Sequence, residues 1–120
     1  MSTTTHRLGP LTLTDTEWQI LCHRLDAPDC IAEALAADGA DYATEDVHHV
    51  AGLLAAGEWD QALDHDAMLA DDVLVDAIEG STWMPLMVGE AQYEAHLLAG
   101  RSLARKIGAL VDRPLSIQPY

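Results

Sequence analysis

The chain has 120 residues, with 20 acidic side chains against 6 basic ones for a formal charge of −14, and 49% of it is apolar. That length suits one helical domain spanning residues 1–120 that buries a core without disulfides or a structural metal, and the charge makes the surface as a whole a poor match for nucleic acid. Cys22 and Cys30 form no CxxC pair and read as reduced thiols. No basic-then-apolar start and no apolar run of about 18 residues is present, so the expectation is a soluble cytoplasmic protein without signal peptide or membrane span.

Residues 1–10, MSTTTHRLGP, are polar and read as a flexible tail. Leu11-Thr12-Leu13 alternates, as does Leu115-Ser116-Ile117 near the other end, and these two pieces are candidates for a short β-pair formed by the termini. Thr14 with Glu17 three residues on makes a capping box that starts a first helix at about Asp15, with Trp18, Leu21, Cys22 and Leu25 inward. Asp26-Ala-Pro-Asp29 restarts the chain, with either aspartate able to cap a short helix through Cys30, Ile31, Ala34 and Leu35 that stops near Gly39.

Thr44 is the expected cap of a third helix over Glu45 to Ala56, burying Val47, Val50, Ala51 and Leu54, with His48 and His49 outward. From Trp59 to Glu79 the pattern reads as one helix or as two broken around Asp64-His65-Asp66. The break is preferred, because Asp66 would otherwise point inward and can instead cap a second helical piece. Gly80 ends this segment, and Ser81 to Pro85 read as a linker. The last helix, Gly89 to Val111, carries Glu90, Glu94, Arg101, Arg105 and Asp112 in a sector about 60° wide at 100° per residue. The rest of its circumference is largely apolar, wider than the roughly 100° of a one-sided surface helix. The fold class expected is therefore all-α, a compact bundle of five or six helices around this long C-terminal helix.

The charges are unevenly placed. Residues 1–94 hold Arg7 and Arg24 against 19 acids, while residues 95–120 hold Arg101, Arg105, Lys106 and Arg113 against Asp112 alone. The acidic ladder Asp64, Asp71, Asp72, Asp76 and Glu79 is expected along the outer side of the fourth segment, with no Lys or Arg between Arg24 and Arg101 to offset it. As a plain solvated face it costs a few tenths of a kcal/mol for each like-charged pair four apart. As a functional face it imitates a line of phosphates or docks a basic protein patch, with contacts that weaken as salt rises.

Metal binding would draw on the ExxH spacing of Glu45 and His48, with His49 and His65 beside it. A di-iron bundle needs a second ExxH and two further glutamates, and adjacent histidines on a helix diverge by about 100°. No metal site or cofactor is therefore expected. His96 and Lys106 depart from the charged stripe of the last helix, and Asp66 from the apolar face before it. A buried contact from Asp66 to His96 or Lys106 is set against a plainer reading, in which Asp66 caps, Lys106 snorkels and His96 is a hydrogen-bonded core residue. The chain lacks GxSxG, HExxH, P-loop and GxGxxG motifs. Cys22 beside His23 lacks an orienting third group.

The expectation is a non-enzymatic binding protein whose acidic surface docks a protein with a basic face. Its most concrete form is a nucleic-acid-mimicking inhibitor of the antirestriction or anti-CRISPR kind, with Glu45, Asp46 and Glu58 extending the ladder. The alternative is a homo-oligomeric structural or accessory protein in contact through Trp83, Met84, Leu86, Met87 and the basic end of the last helix. The motifs are too generic to assign a family.

Overall fold

A computed structural model describes residues 5–79 and 90–115, and for residues 90–93 the backbone alone. The described chain is mostly helical. Two strands, β1 (Thr5–Leu8) and β2 (Leu11–Thr14), lead into α1 (Asp15–Leu25), α2 (Pro28–Ala37), α3 (Thr44–Ala55), α4 (Trp59–Glu79) and α5 (Glu90–Val111).

The β-pair forms with a different partner from the one expected. β2 pairs antiparallel with β1, Thr5 opposite Thr14 and Leu8 opposite Leu11, and Leu115 lies outside any strand. Ser116 and Ile117 fall outside the described residues. The expected tail is thus folded from Thr5 onward, with Leu8 of β1 and Leu13 of β2 wholly buried in the core. A local hairpin closes a shorter loop than a pairing of termini and so costs less chain entropy. Its turn uses Gly9 at φ +59°, where a Cβ would overlap the Trp59 indole. Only glycine combines that backbone conformation with so close an approach.

The capping box starts α1 as expected. The Glu17 amide donates to Thr14 Oγ1 at 3.2 Å, and the Thr14 amide to Glu17 Oε1 at 2.8 Å. The buried face of α1 is rotated from the one read in the sequence, to Glu17, Ile20, Leu21 and Leu25. Trp18 is half-buried and stacks on His6 of β1, with ring centroids 5.1 Å apart. The hairpin supplies that covering ring, so helical periodicity alone misplaces Trp18.

The starts of the next two helices differ from expectation. α2 is capped by neither Asp26 nor Asp29, its N-cap being Ala27 with Pro28 in the first turn. Thr44 is already inside α3, and Ala43 precedes it with no side-chain cap. Acidic first-turn residues, Asp29 in α2 and Glu45 and Asp46 in α3, offset the helix dipole instead. The ends are stronger. Gly39 and Gly57 take positive φ after α2 and α3, and Ala40 and Glu58 donate back to the carbonyls of Leu35 and Leu53 at 3.0 and 2.9 Å. α5 ends the same way, Arg113 donating to Gly108 at 2.9 Å, with Asp112 rather than a glycine at φ +57°.

α4 is broken where the sequence suggested. Asp66 has extended backbone (φ −166°, ψ 103°), and its Oδ1 accepts the Leu69 amide at 3.1 Å, so it caps the second half of the helix. α3 buries Val47, Val50, Ala51 and Leu54, and its pairing with α4 is the most extensive between helices among the described residues. Among the described residues the long C-terminal helix pairs with α1, α4 and β2 less extensively than α3 pairs with α4. Leu103, Ala104, Ile107 and Val111 of its second half enter the core, but Leu98 in the first half is 63% exposed. Among the described residues the elements packed against α5 are α1, β2 and α4. The linker 81–85 and the residues Trp83, Met84, Leu86 and Met87 lie outside the described residues.

Candidate functional site

The acidic residues predicted to form a ladder are divided by the break at Asp66. Asp64 lies before it and is exposed, and Glu79 is exposed at the far end. Asp71, Asp72 and Asp76 between them are half-buried rather than freely solvated. The extensions Glu45, Asp46 and Glu58 are exposed.

Asp72 and Asp76 meet the α2–α3 connection. There a groove of about 600 Å³ is lined by Asp38, Asp41, Asp72 and Asp76 together with Tyr42, Met68 and Arg113. The groove exists because α2 stops at Gly39 and the chain crosses to α3 over the second half of α4. Tyr42 Oη donates to Asp72 Oδ2 at 2.7 Å, and Arg113 approaches Asp72 Oδ1 at 3.7 Å. The bond to Asp72, aided by burial and by the charges of Asp72 and Asp66 against that of Arg113, pushes the Tyr42 phenol up to about 12. It therefore stays a neutral donor at any physiological pH.

Burial raises the Asp76 carboxyl, the Arg24 guanidinium opposes, and Asp38 adds to the rise. Asp71 is likewise raised by burial and by Asp72, with Arg113 opposing. Arg24 Nε donates to the Ala77 carbonyl at 2.8 Å, and burial lowers its pKa while Asp76 supports it. This pair of arginines compensates the groove only in part. Met68, 73% exposed, adds a flexible apolar edge to an acidic cleft.

Three of the histidines, His6, His48 and His65, each lie beside one aspartate. His48 Nε2 lies 2.6 Å from Asp29 and His65 Nε2 3.2 Å from Asp46, while the His49 and His65 rings sit 4.7 Å apart. Among the described residues no three His, Cys, Asp or Glu side chains converge as a metal set. Cys22 is half-buried, its Sγ 3.8 Å from the Ala55 carbonyl, and burial raises its pKa, which holds it as a thiol.

Lys106 makes the buried contact that the sequence suggested for Asp66. Its Nζ lies 2.7 Å from Glu17 Oε1 and 3.1 Å from the Thr12 carbonyl. Burial would raise the Glu17 pKa, but the Lys106 hydrogen bond, the Thr14 amide, the Ser102 hydroxyl and the Lys106 charge together lower it. Sequence carries part of the signal for this pair. Assigning Glu17 wholly to the capping box overlooks that a glutamate capping through one oxygen can pair through the same carboxyl.

No family model, curated protein or solved structure matches the chain. No described helix is long and apolar enough to cross a membrane.

Proposed function

We propose that this chain is a non-enzymatic, cytoplasmic binding protein whose acidic face docks a basic protein partner. The observation that carries the reading is the groove in which Asp38, Asp41, Asp72 and Asp76 surround Tyr42 beside the exposed Met68. An arginine or lysine of the partner fits this chemistry. Its charged head meets carboxylates, and its aliphatic stem lies along Met68 and the tyrosine ring. The net charge of −14 would steer a basic partner over distances of about a Debye length, 8 Å at physiological salt.

The nucleic-acid-mimicking inhibitor is the most concrete form of this reading, with Asp64, Asp71, Asp72, Asp76 and Glu79 standing for phosphates. The engagement of Asp72 by Tyr42 favours recognition of separate cationic side chains over imitation of an even row of free charges. A second reading, self-association as a structural or accessory protein, is favoured by the exposed Leu98 beside exposed Arg101 and Arg105 on a chain otherwise acidic.

Pull-down from the native host with the chain carrying Asp71→Asn, Asp72→Asn and Asp76→Asn separates the readings. The docking proposal expects partner capture to fall sharply in the variant and to weaken in the wild type as salt rises. Capture indifferent to both would remove it. Sedimentation at low and high salt tests self-association, which requires a mass above that of the monomer at low salt.

A further inference from the structure

His49 of α3 and His65 of α4 meet with ring centroids 4.7 Å apart and ring planes inclined at 59°. Both residues are exposed, and His65 directly precedes the extended backbone of Asp66 that breaks α4. The spacing has a chemical meaning. An ion held about 2.0–2.1 Å from one nitrogen of each ring, with those nitrogens about 90–110° apart around it, puts the two centroids about 4.5–5 Å from each other. The rings are not stacked face to face, and the broad χ2 of histidine lets each turn a nitrogen toward a shared point. Asp46 prepares one of them. His65 Nε2 lies 3.2 Å from Asp46 Oδ1, and because an ionised carboxylate only accepts, the ring proton is held on Nε2 and Nδ1 keeps its lone pair. A carboxylate in this position is what orients histidine ligands on metals. His6 also meets an aspartate, but the ring beside it is the Trp18 indole, which has no lone pair to give.

We propose that His49 and His65 together bind one divalent cation of the zinc class, with water in its remaining positions and Asp46 as the positioning residue. Such an open site uses two protein ligands, fewer than the set of three that is absent among the described residues. Imidazole nitrogen selects zinc, nickel or copper, whereas magnesium and calcium take oxygen. The surroundings favour a cation: Glu45, Asp46 and Asp64 are exposed and close to the pair in sequence, and no Lys or Arg occurs between Arg24 and Arg101. The ion ties α3 to the first half of α4. The inference is independent of the basic partner proposed for the acidic groove.

Titration of the full chain with zinc chloride, its cysteines kept reduced, followed by imidazole proton–nitrogen NMR, tests it. Saturable shifts are expected at His49 and His65, with the His65 proton on Nε2 before zinc is added, and Tm should rise with zinc. Magnesium chloride should do neither. His49→Asn and His65→Asn, both at exposed positions, should each weaken zinc binding about tenfold or more. His48→Asn should leave it unchanged, because adjacent side chains on a helix diverge by about 100°. Asp46→Ala should weaken binding severalfold and remove the preference of His65 for a proton on Nε2. Absence of saturable shifts, shifts centred on Cys30 or on the aspartates of the acidic groove, an equal response to magnesium, or undiminished binding in the His49 or His65 variant would overturn the proposal, leaving a contact between two rings.

Discussion

Glu17 and Asp72 are both carboxylates next to one cation, yet the fold treats them in opposite ways. Glu17 is sunk against α5 with Lys106 at 2.7 Å, and its pKa is lowered despite burial. Asp72 sits at a groove, bound by a neutral phenol at 2.7 Å with Arg113 at 3.7 Å, and its neighbours Asp71 and Asp76 are pushed up. The first carboxylate ties distant segments together, and its charge is matched. The second belongs to a groove where acidic charge is left in excess. What separates the two carboxylates is thus compensation rather than residue type.

The matched, buried side should be the more fragile of the two. Lys106→Met leaves Glu17 buried without its cation and should cost about 2–3 kcal/mol in urea unfolding at pH 7. That is less than the cost for a fully buried pair because Lys106 is one-third exposed. Gly9→Ala, which forces a Cβ into Trp59 at positive φ, should cost about 1–3 kcal/mol in the same measurement. Removing the cap at the α4 break by Asp66→Ala should cost about 1 kcal/mol. Asp112→Gly should instead add about 0.5–1 kcal/mol, since glycine relieves the positive φ that ends α5.

Acid sharpens the contrast because the two regions respond with opposite signs. The native Glu17 pKa lies below its ordinary 4.5, so its contribution is present above that value and is lost as pH falls through the native pKa. Asp71 and Asp76 lie above their ordinary 3.8, so their contribution is complete below 3.8 and is lost as pH rises through their raised native values. Asp71→Asn should accordingly give the smallest change, leaving stability at pH 7 unaltered or raised by no more than about 0.5 kcal/mol. Denaturant midpoints measured from pH 3 to 7 check this, and a loss of stability in the variant near neutrality would show that Asp71 is structurally paired.

Much of the architecture was legible locally. The Thr14–Glu17 box, the glycines after α2 and α3, and the broken helix at Asp66 are each written within a few residues, where hydrogen bonds join near neighbours. The missed caps of α2 and α3 show the limit of that reading: Asp26, Asp29 and Thr44 had the right chemistry but the wrong backbone position. Of the acidic residues, composition revealed the excess but not the groove, since Asp38, Asp41 and Tyr42 reach Asp72 across about thirty positions of chain, the Tyr42 bond spanning 30 residues.

A helical chain, the start of α1, the break in α4, the buried face of α3 and a strongly negative surface were all written in the order of the residues. Packing in three dimensions was needed to establish that β1 partners β2, that α5 exposes Leu98, and that Lys106 reaches Glu17, 89 residues away, instead of Asp66. The division comes from range. Capping and periodicity act over one or two turns, whereas the partner of a buried charge is chosen by whichever elements the core brings together.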